Sequence, residues 1–305
     1  MQLPTPTLRQ LRFLVAVTDR RHFGLAAQDC LVTQSTLSAG IQDMEELLGV
    51  RLLERTSRSV VPTAIGKEMA DRARDILRQV EDLTHNAKAA QGPMSGPLRL
   101  GVIPTIGPFL VPRVMPRLRD AFPNLKLYLK EEQTARLLGR LDAGEIDAAI
   151  LALPYRVDGV EIAEIGQDRF WVVCPSSHQL AKAGVANLSD IAAEDILLLE
   201  EGHCLRDHAL AACALEGARR NVAFQGTSLH TLVQMVANGL GITLLPQMAL
   251  DAGILNGLPL TALPLGGDTP FRQICLVWRR TAGRSETYQN LAEILQACHS
   301  HDRND

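Results

Sequence analysis

The sequence predicts a multidomain chain of mixed α+β and α/β class: a small helical unit, one long helix, then two α/β lobes. Three observations carry this. The chain has 305 residues, room for about two domains at ~150 residues each. Residues 63–90 repeat apolar side chains at near-heptad spacing. Beyond the Gly/Pro stretch Gln91–Pro97, strand patterns alternate with helical ones.

Composition narrows the function classes. Apolar residues make up 46% and charged residues 21%, with a net charge of −3. This excludes disorder as the main state. No run of ~18 uncharged apolar residues exists, so no membrane span is predicted. The opening, MQLPTPTLRQLRFLVAV, lacks a basic start and a small-residue cleavage site, so it does not read as a secretory signal. The expected location is the cytoplasm. Residues 1–67 carry eight Lys/Arg and six acids, a balance of +2 that leaves −5 for the remainder. That asymmetry permits nucleic-acid binding by the N-terminal unit without demanding it. Cys30, Cys174, Cys204, Cys213, Cys275 and Cys298 form no CxxC pair, so neither a metal nor a cofactor is expected.

The elements follow in order. Phe23–Cys30 is a short Ala-rich helix, broken at Leu31–Val32. Leu37, Ile41, Met44 and Leu48 then line one face of a second helix. Its other face offers Gln34, Ser35, Thr36, Ser38 and Gln42. Such short polar groups can bond base edges or phosphates in a DNA groove; the same pattern also suits a solvated surface. RTSRSVVPT reads as a hairpin-like wing carrying Arg55 and Arg58. Thr63 is an N-cap candidate for the long helix. That helix aligns Ile65, Met69, Ala73, Ile76, Val80, Leu83 and Ala87 in one seam. About 28 residues at 1.5 Å rise make it roughly 40 Å long. The seam either packs on its own domain or pairs with a second helix.

After Pro97, Leu98–Ile103, Leu125–Glu131 and Ile146–Leu153 read as strands. Helices are expected from Gly107 and over Thr134–Ala143. The alternation resumes with FWVVCP, DILLLE, a helix near Leu205–Arg219, NVAFQ, a helix over Leu229–Asn238, GITLLP and QICLVW. Helix Arg284–Cys298 closes the chain. The pattern predicts parallel sheet. QICLVW is placed to return to the first lobe.

The run FLVAVT…RHFGLAAQDCLVTQSTLS…IQDMEELLGVRLLERTSRSVVPTAIG resembles the LysR-type transcriptional regulators over residues 8–67. That resemblance implies a winged helix-turn-helix DNA-binding domain over 1–60 and a linker/dimerisation helix over 61–91. It further implies a periplasmic-binding-protein-like regulatory domain over 92–305. Subdomain I would comprise about 92–165 and 268–305, subdomain II about 166–267. Double-stranded DNA is the implied partner, read by Gln34, Ser35, Thr36, Ser38 and Gln42, with Arg55 and Arg58 on the backbone. A homodimer, or a dimer of dimers forming a homotetramer, is implied too. Ser35 stands where the family often has Pro, and Gly40 where it often has Gln.

Within the regulatory region, Leu197–Arg220 reads LLLEEGHCLRDHALAACALEGARR. Cys204 follows a strand and a Gly turn at the start of a helix, beside His203, Arg206 and His208. A helix start and nearby cations favour thiolate, the form that attacks peroxide. Two ordinary core cysteines would produce the same spacing. With VIPTIGPFL, EEQT and TSL, however, the GHCLRD segment and the nine-residue Cys204–Cys213 spacing resemble the peroxide-sensing members of the family. The resemblance implies that Cys204 is the peroxidatic thiol and Cys213 the resolving one. Hydrogen peroxide would be held by Thr105, Thr134, His203 and Arg272. RNA polymerase and a cellular thiol reductant become expected partners.

Regular helix from 204 to 213 would rise roughly 13 Å and turn the two side chains about 180° apart, beyond the reach of a disulfide. Oxidation would therefore unwind or move that helix. The chain is not expected to be an enzyme. The alternative reading is a regulator answering a small metabolite, with Cys204 incidental.

Overall fold

The computed structural model describes residues 5–55, 60–89, 94–192, 194–212, 220–267 and 270–300. Two compact units divide the chain, Met1–Ala87 and Lys88–Asp305.

The first unit begins with α1 (Leu8–Arg20), α2 (Phe23–Asp29) and α3 (Gln34–Leu48). Local chemistry sets each start. Thr7 and Gln10 form a reciprocal capping box on α1. The His22 ring accepts from the Gly24 and Leu25 amides at α2. The Thr33 hydroxyl accepts from the Thr36 amide at α3 (3.2 Å). Leu37, Ile41 and Met44 bury the inner face of α3 against Leu11, Phe13, Leu14 and Val17. Leu48 is half-buried. Gly40 has a packing reason: a Cβ there would stand 2.8 Å from the Phe13 ring. The helix gives up propensity to bring α1 close.

Strands β1 (Leu53–Arg55) and β2 (Val60–Pro62) pair antiparallel, Leu53 opposite Pro62 and Arg55 opposite Val60. Glu45 anchors this hairpin to α3, accepting from the Leu52 and Leu53 amides at 2.7 and 3.0 Å. Helix α4 (Ala64–Ala89) follows, with the Thr63 hydroxyl accepting from the Gly66 amide at 3.0 Å. Its N-terminal half packs on its own unit through Ala70, Ala73, Met69 and Leu77. Of the predicted seam, Ile76 is 43% and Leu83 71% exposed. The first of the two packing readings thus applies to the N-terminal half of the helix.

Gly66 sits where no side chain fits, because a Cβ would stand 1.9 Å from the Leu52 carbonyl oxygen. Gly66→Ala is expected to push α4 off the hairpin and cost about 1–3 kcal/mol. Thermal unfolding of the full chain measures it; an unchanged first transition would refute it.

The second unit runs β3 (Gly96–Val102), α5 (Gly107–Ala121), β4 (Leu125–Glu131), α6 (Thr134–Asp142), β5 (Ala148–Leu153) and β6 (Val160–Pro175). A 3-10 turn (Gln179–Lys182), α7 (Leu188–Ala192), β7 (Ile196–Leu199), α8 (Cys204–Ala212), β8 (Arg220–Gly226) and α9 (Leu229–Ala237) come next. It ends with β9 (Ile242–Pro246), α10 (Gln247–Asp251), β10 (Leu260–Pro264), β11 (Phe271–Arg279) and α11 (Ser285–Ser300). The strand order is β4-β3-β5-β11-β6-β9-β7-β8, with β10 also on β6.

The parallel-sheet expectation needs correction. β3 is parallel to β4 and β5, and β7 to β8 and β9. The central strands are not: β11 is antiparallel to both β5 and β6, and β6 to β9 and β10. Only FWVVCP, the end of the 16-residue β6, carries a buried apolar run. The first part alternates half-exposed acids with Ile and Ala, so its strand pattern is faint. β6 changes partners near Arg169: Val160–Arg169 face β11, and Phe170–Val173 face β9. β6 thus takes part in both halves of the sheet. The helix expected over Leu205–Arg219 is regular through Ala212; 213–219 lie outside the described residues.

Candidate functional site

The carboxyl ends of β3, β4 and β7 lead into three loops of the second unit. These loops deliver Thr105 ahead of α5, Thr134 as the first residue of α6, and His203–Cys204 at the head of α8. All four residues are buried, with Thr134 at 1% and Cys204 at 5% exposure. Loop-to-loop contact is close. Gly202 has φ +94°, and a Cβ on it would meet the Gln133 side chain at 2.8 Å. Only glycine satisfies both the left-handed backbone and that approach.

Beneath these loops lies a buried ion pair that sequence reading did not find whole. Arg272 of β11 is fully buried. Its Nε and Nη2 donate to Oδ2 of Asp168 at 3.0 and 2.9 Å. Nη1 donates to the Thr105 hydroxyl at 2.7 Å, and Nη2 to the Thr105 carbonyl at 2.9 Å. The other Asp168 oxygen accepts from the Met248 amide at 3.0 Å. Asp168 and Arg272 are directly opposite on β6 and β11. They stand 104 positions apart in sequence, so only strand pairing reveals the partnership.

The electrostatics of Cys204 correct one expectation. Burial pushes the thiol above the ordinary thiol value, and Asp207 adds to that rise. The opposing pull comes from Arg272, from the nearby Thr134 hydroxyl and, least, from the Cys204 amide at the helix start, all of which favour the thiolate. It does not come from the sequence neighbours. Arg206 pairs with Glu201 at 3.3 Å, and the His203 ring lies 3.7 Å from the Glu200 carboxylate. Burial lowers His208, favouring its neutral form. Burial also raises Cys30, Cys174 and Cys275, the last to about 12. Among these, Cys204 alone has both a cation and a hydroxyl drawing it back.

The sign gives a prediction. A raised thiol leaves the thiolate a minority at neutral pH, so the alkylation rate of Cys204 should keep climbing above the usual thiol value of about 8.5. Iodoacetamide kinetics against pH checks this; a plateau below pH 7 would refute it.

The other predicted residues fall as follows. Gln34, Ser35, Thr36 and Gln42 are exposed on the outer face of α3, and Ser38 is half-buried. Ser35 and Thr36 share the Thr33 hydroxyl, at 3.0 and 2.8 Å, and Gln42 donates to Glu46. Arg55 closes β1, where only its backbone is described. Arg58 and Cys213 lie outside the described residues. No metal-binding group of His, Cys, Asp or Glu occurs among the described residues, and no described helix is long and apolar enough to cross a membrane.

Together these features define a helix-turn-helix protein carrying an α/β regulatory unit with a buried thiol at its loop cluster. The chain belongs to the LysR family of bacterial transcriptional regulators. Residues 8–67 match the family's bacterial regulatory helix-turn-helix, and 91–298 match the LysR substrate binding domain. It is 41% identical over 290 residues, 95% of each chain, to the DNA-binding transcriptional dual regulator OxyR of Escherichia coli. A full-length OxyR variant from Pseudomonas aeruginosa superposes with a TM-score of 0.79 at 33% identity, covering 97% of this chain and 96% of that one. A hydrogen-peroxide-bound OxyR variant from Corynebacterium glutamicum gives 0.67 at 33% identity, covering 98% and 94%.

Proposed function

We propose that this chain is a DNA-binding transcriptional regulator that senses hydrogen peroxide through Cys204. The carrying observation is the buried thiol at the head of α8, set among Thr134, Thr105 and the Arg272–Asp168 pair. Peroxide enters between these groups. Cys204 is oxidised to sulfenic acid, and Cys213 then condenses with it to a disulfide. The likeness to OxyR proteins supports the same reading. Helix α8 is regular through Ala212, so closing the disulfide requires it to unwind. That rearrangement converts one bond into a domain-scale switch. A cellular thiol reductant resets it, and the chain does not turn over as an enzyme.

The division proposed is a DNA-binding domain over 1–60, a linker helix over 61–91 and a regulatory domain over 92–305. The exposed Ile76 and Leu83 of α4 support pairing of two linker helices, and two such dimers make a tetramer. The reading places the protein in the cytoplasm, where it contacts RNA polymerase. On DNA, Gln34, Ser35, Thr36, Ser38 and Gln42 read bases while Arg55 and Arg58 hold the backbone.

Gln34→Ala is expected to relax preference at one base pair, at about 1–3 kcal/mol. Arg58→Ala should weaken all sequences alike and flatten the salt dependence. Binding titrations on an operator and its single-base variants at two salt concentrations separate the two; a base-specific loss from Arg58→Ala would overturn the assignment. The test of the whole reading is a DNA footprint of the reduced protein, repeated after peroxide. An unchanged footprint, or one that changes equally in Cys204→Ser, supports the metabolite alternative instead.

A further inference from the structure

We propose that His208 binds the peroxide directly, its Nδ1 accepting a hydrogen bond from a peroxide O–H and so aiming the O–O bond at the Cys204 sulfur. This rests on the reading of Cys204 as the sensing thiol. It assigns to His208 a role different from that of a neighbouring cation.

Cys204 and His208 stand four residues apart on α8, so they share one face of the helix. Both are buried, at 5% and 6% exposure. The His208 Nε2 lies 2.7 Å from the Pro154 carbonyl oxygen, just beyond β5. A carbonyl only accepts, so Nε2 carries the hydrogen. In the neutral ring Nδ1 is then a bare acceptor. That nitrogen is buried and has no hydrogen-bond partner among the described residues. The Thr134 hydroxyl is buried too, and among the described residues it has no partner beyond the Cys204 thiol it acts on.

Native interiors pair their buried polar atoms, and each exception needs a reason. Here one exception, His208 Nδ1, sits one helical turn from the thiol, and the other, the Thr134 hydroxyl, acts on it. Arg272 acts electrostatically on Cys204 and on His208 alike, so all three belong to one cluster. Trp171, Trp278, Thr18 and Arg284 also hold unpartnered buried atoms, but none of them is on α8; Arg206, which is on α8, has its Nη1 held by Glu201 at 3.3 Å. The ligand that satisfies an acceptor and a hydroxyl together is small, with O–H donors and oxygen lone pairs. Hydrogen peroxide has both.

The chemistry balances without another reactant. The thiolate sulfur forms a bond to the near oxygen, and the O–O bond breaks with its pair going to the far oxygen. The departing hydroxide takes the proton the thiol released and leaves as water. Sulfur is oxidised by two electrons and the peroxide reduced by two. His208 gains and loses nothing; it fixes the angle of approach.

The test measures two rates at Cys204 in the reduced full-length protein, both by mass spectrometry. One is oxidation by hydrogen peroxide, which needs an oriented ligand; the other is alkylation by iodoacetamide, which does not. His208→Phe fills the ring's space without a lone pair. It is expected to slow peroxide oxidation by about tenfold or more and to change alkylation by less than about threefold. His208→Gln keeps a donor for Pro154 and an acceptor oxygen, and should hold the ratio of the two rates within about threefold of the parent. His208→Leu serves if phenylalanine prevents folding. An unchanged peroxide rate in the apolar variants overturns the inference. So does a fall of both rates together, or a ratio as low in His208→Gln as in His208→Phe. Failure of the parent protein to oxidise at Cys204 ahead of its other thiols would instead refute the sensing role itself.

Discussion

Cys204→Ser is expected to abolish the response of the DNA footprint to peroxide while leaving binding by the reduced protein intact. The first half follows from chemistry: serine has no sulfur to oxidise and its hydroxyl does not attack peroxide at neutral pH. The second follows from distribution. The predicted base-reading residues lie on α3 of the first unit, and Cys204 lies in the second. Serine is also close to cysteine in volume, and Thr134 offers its hydroxyl a partner. In the parent protein, brief substoichiometric peroxide should modify Cys204 first. Cys275 is held near 12 by burial beside Glu164, and Cys174 is raised by burial beside Glu194. Neither has a cation to offset that. Cys213→Ser should leave sulfenic acid detectable on Cys204. Tryptic mass spectrometry reads all of this; a first product at Cys174 or Cys275, or even oxidation over every thiol, would sink the mechanism.

The second large effect is expected from Asp168→Ala. The substitution leaves the Arg272 guanidinium at zero exposure without its counter-charge, and leaves the Met248 amide without its acceptor. Breaking one side of a buried pair typically costs about 3–5 kcal/mol. At about 2–4 °C per kcal/mol for a unit of this size, the regulatory transition should fall by about 10 °C. Asp168→Asn keeps an acceptor for Met248 and should lose less. Replacing both partners with apolar residues should recover much of the loss, since neither charge is then stranded. Differential scanning calorimetry of the full chain distinguishes these cases. A transition within about 1 °C of the parent in Asp168→Ala would show that water reaches the guanidinium. The same variant removes the carboxylate that holds the guanidinium to which the Thr105 hydroxyl and carbonyl are bonded.

These effects separate what a linear reading reaches from what it cannot. Helix α3 was legible because Leu37, Ile41 and Met44 repeat at the helical period, and burial of one face enforces that period. The loop residues Thr105, Thr134 and Cys204 were legible because each follows a recognisable strand pattern, apolar in β3 and β7 and alternating in β4, where parallel-strand loops open. The first part of β6 was not, because it has no continuous apolar run. Gly40 reads in the sequence as a weakness of α3; the Phe13 ring beside it supplies the reason.

The sequence by itself determined the family and the order of the units, and it singled out Cys204 as the thiol proposed to react. Those depend on local periodicity, turn chemistry and a short motif, all of which act over a few residues. Tertiary structure decided which charge faces that thiol. From the sequence the obvious cations are His203, Arg206 and His208, each within four residues of Cys204. In the fold Arg206 turns to Glu201 and burial disfavours a charge on His208. Arg272 comes instead from a strand near the end of the chain, held by Asp168. Field strength follows distance and desolvation rather than sequence separation, and distance between remote residues exists only once the strands have paired.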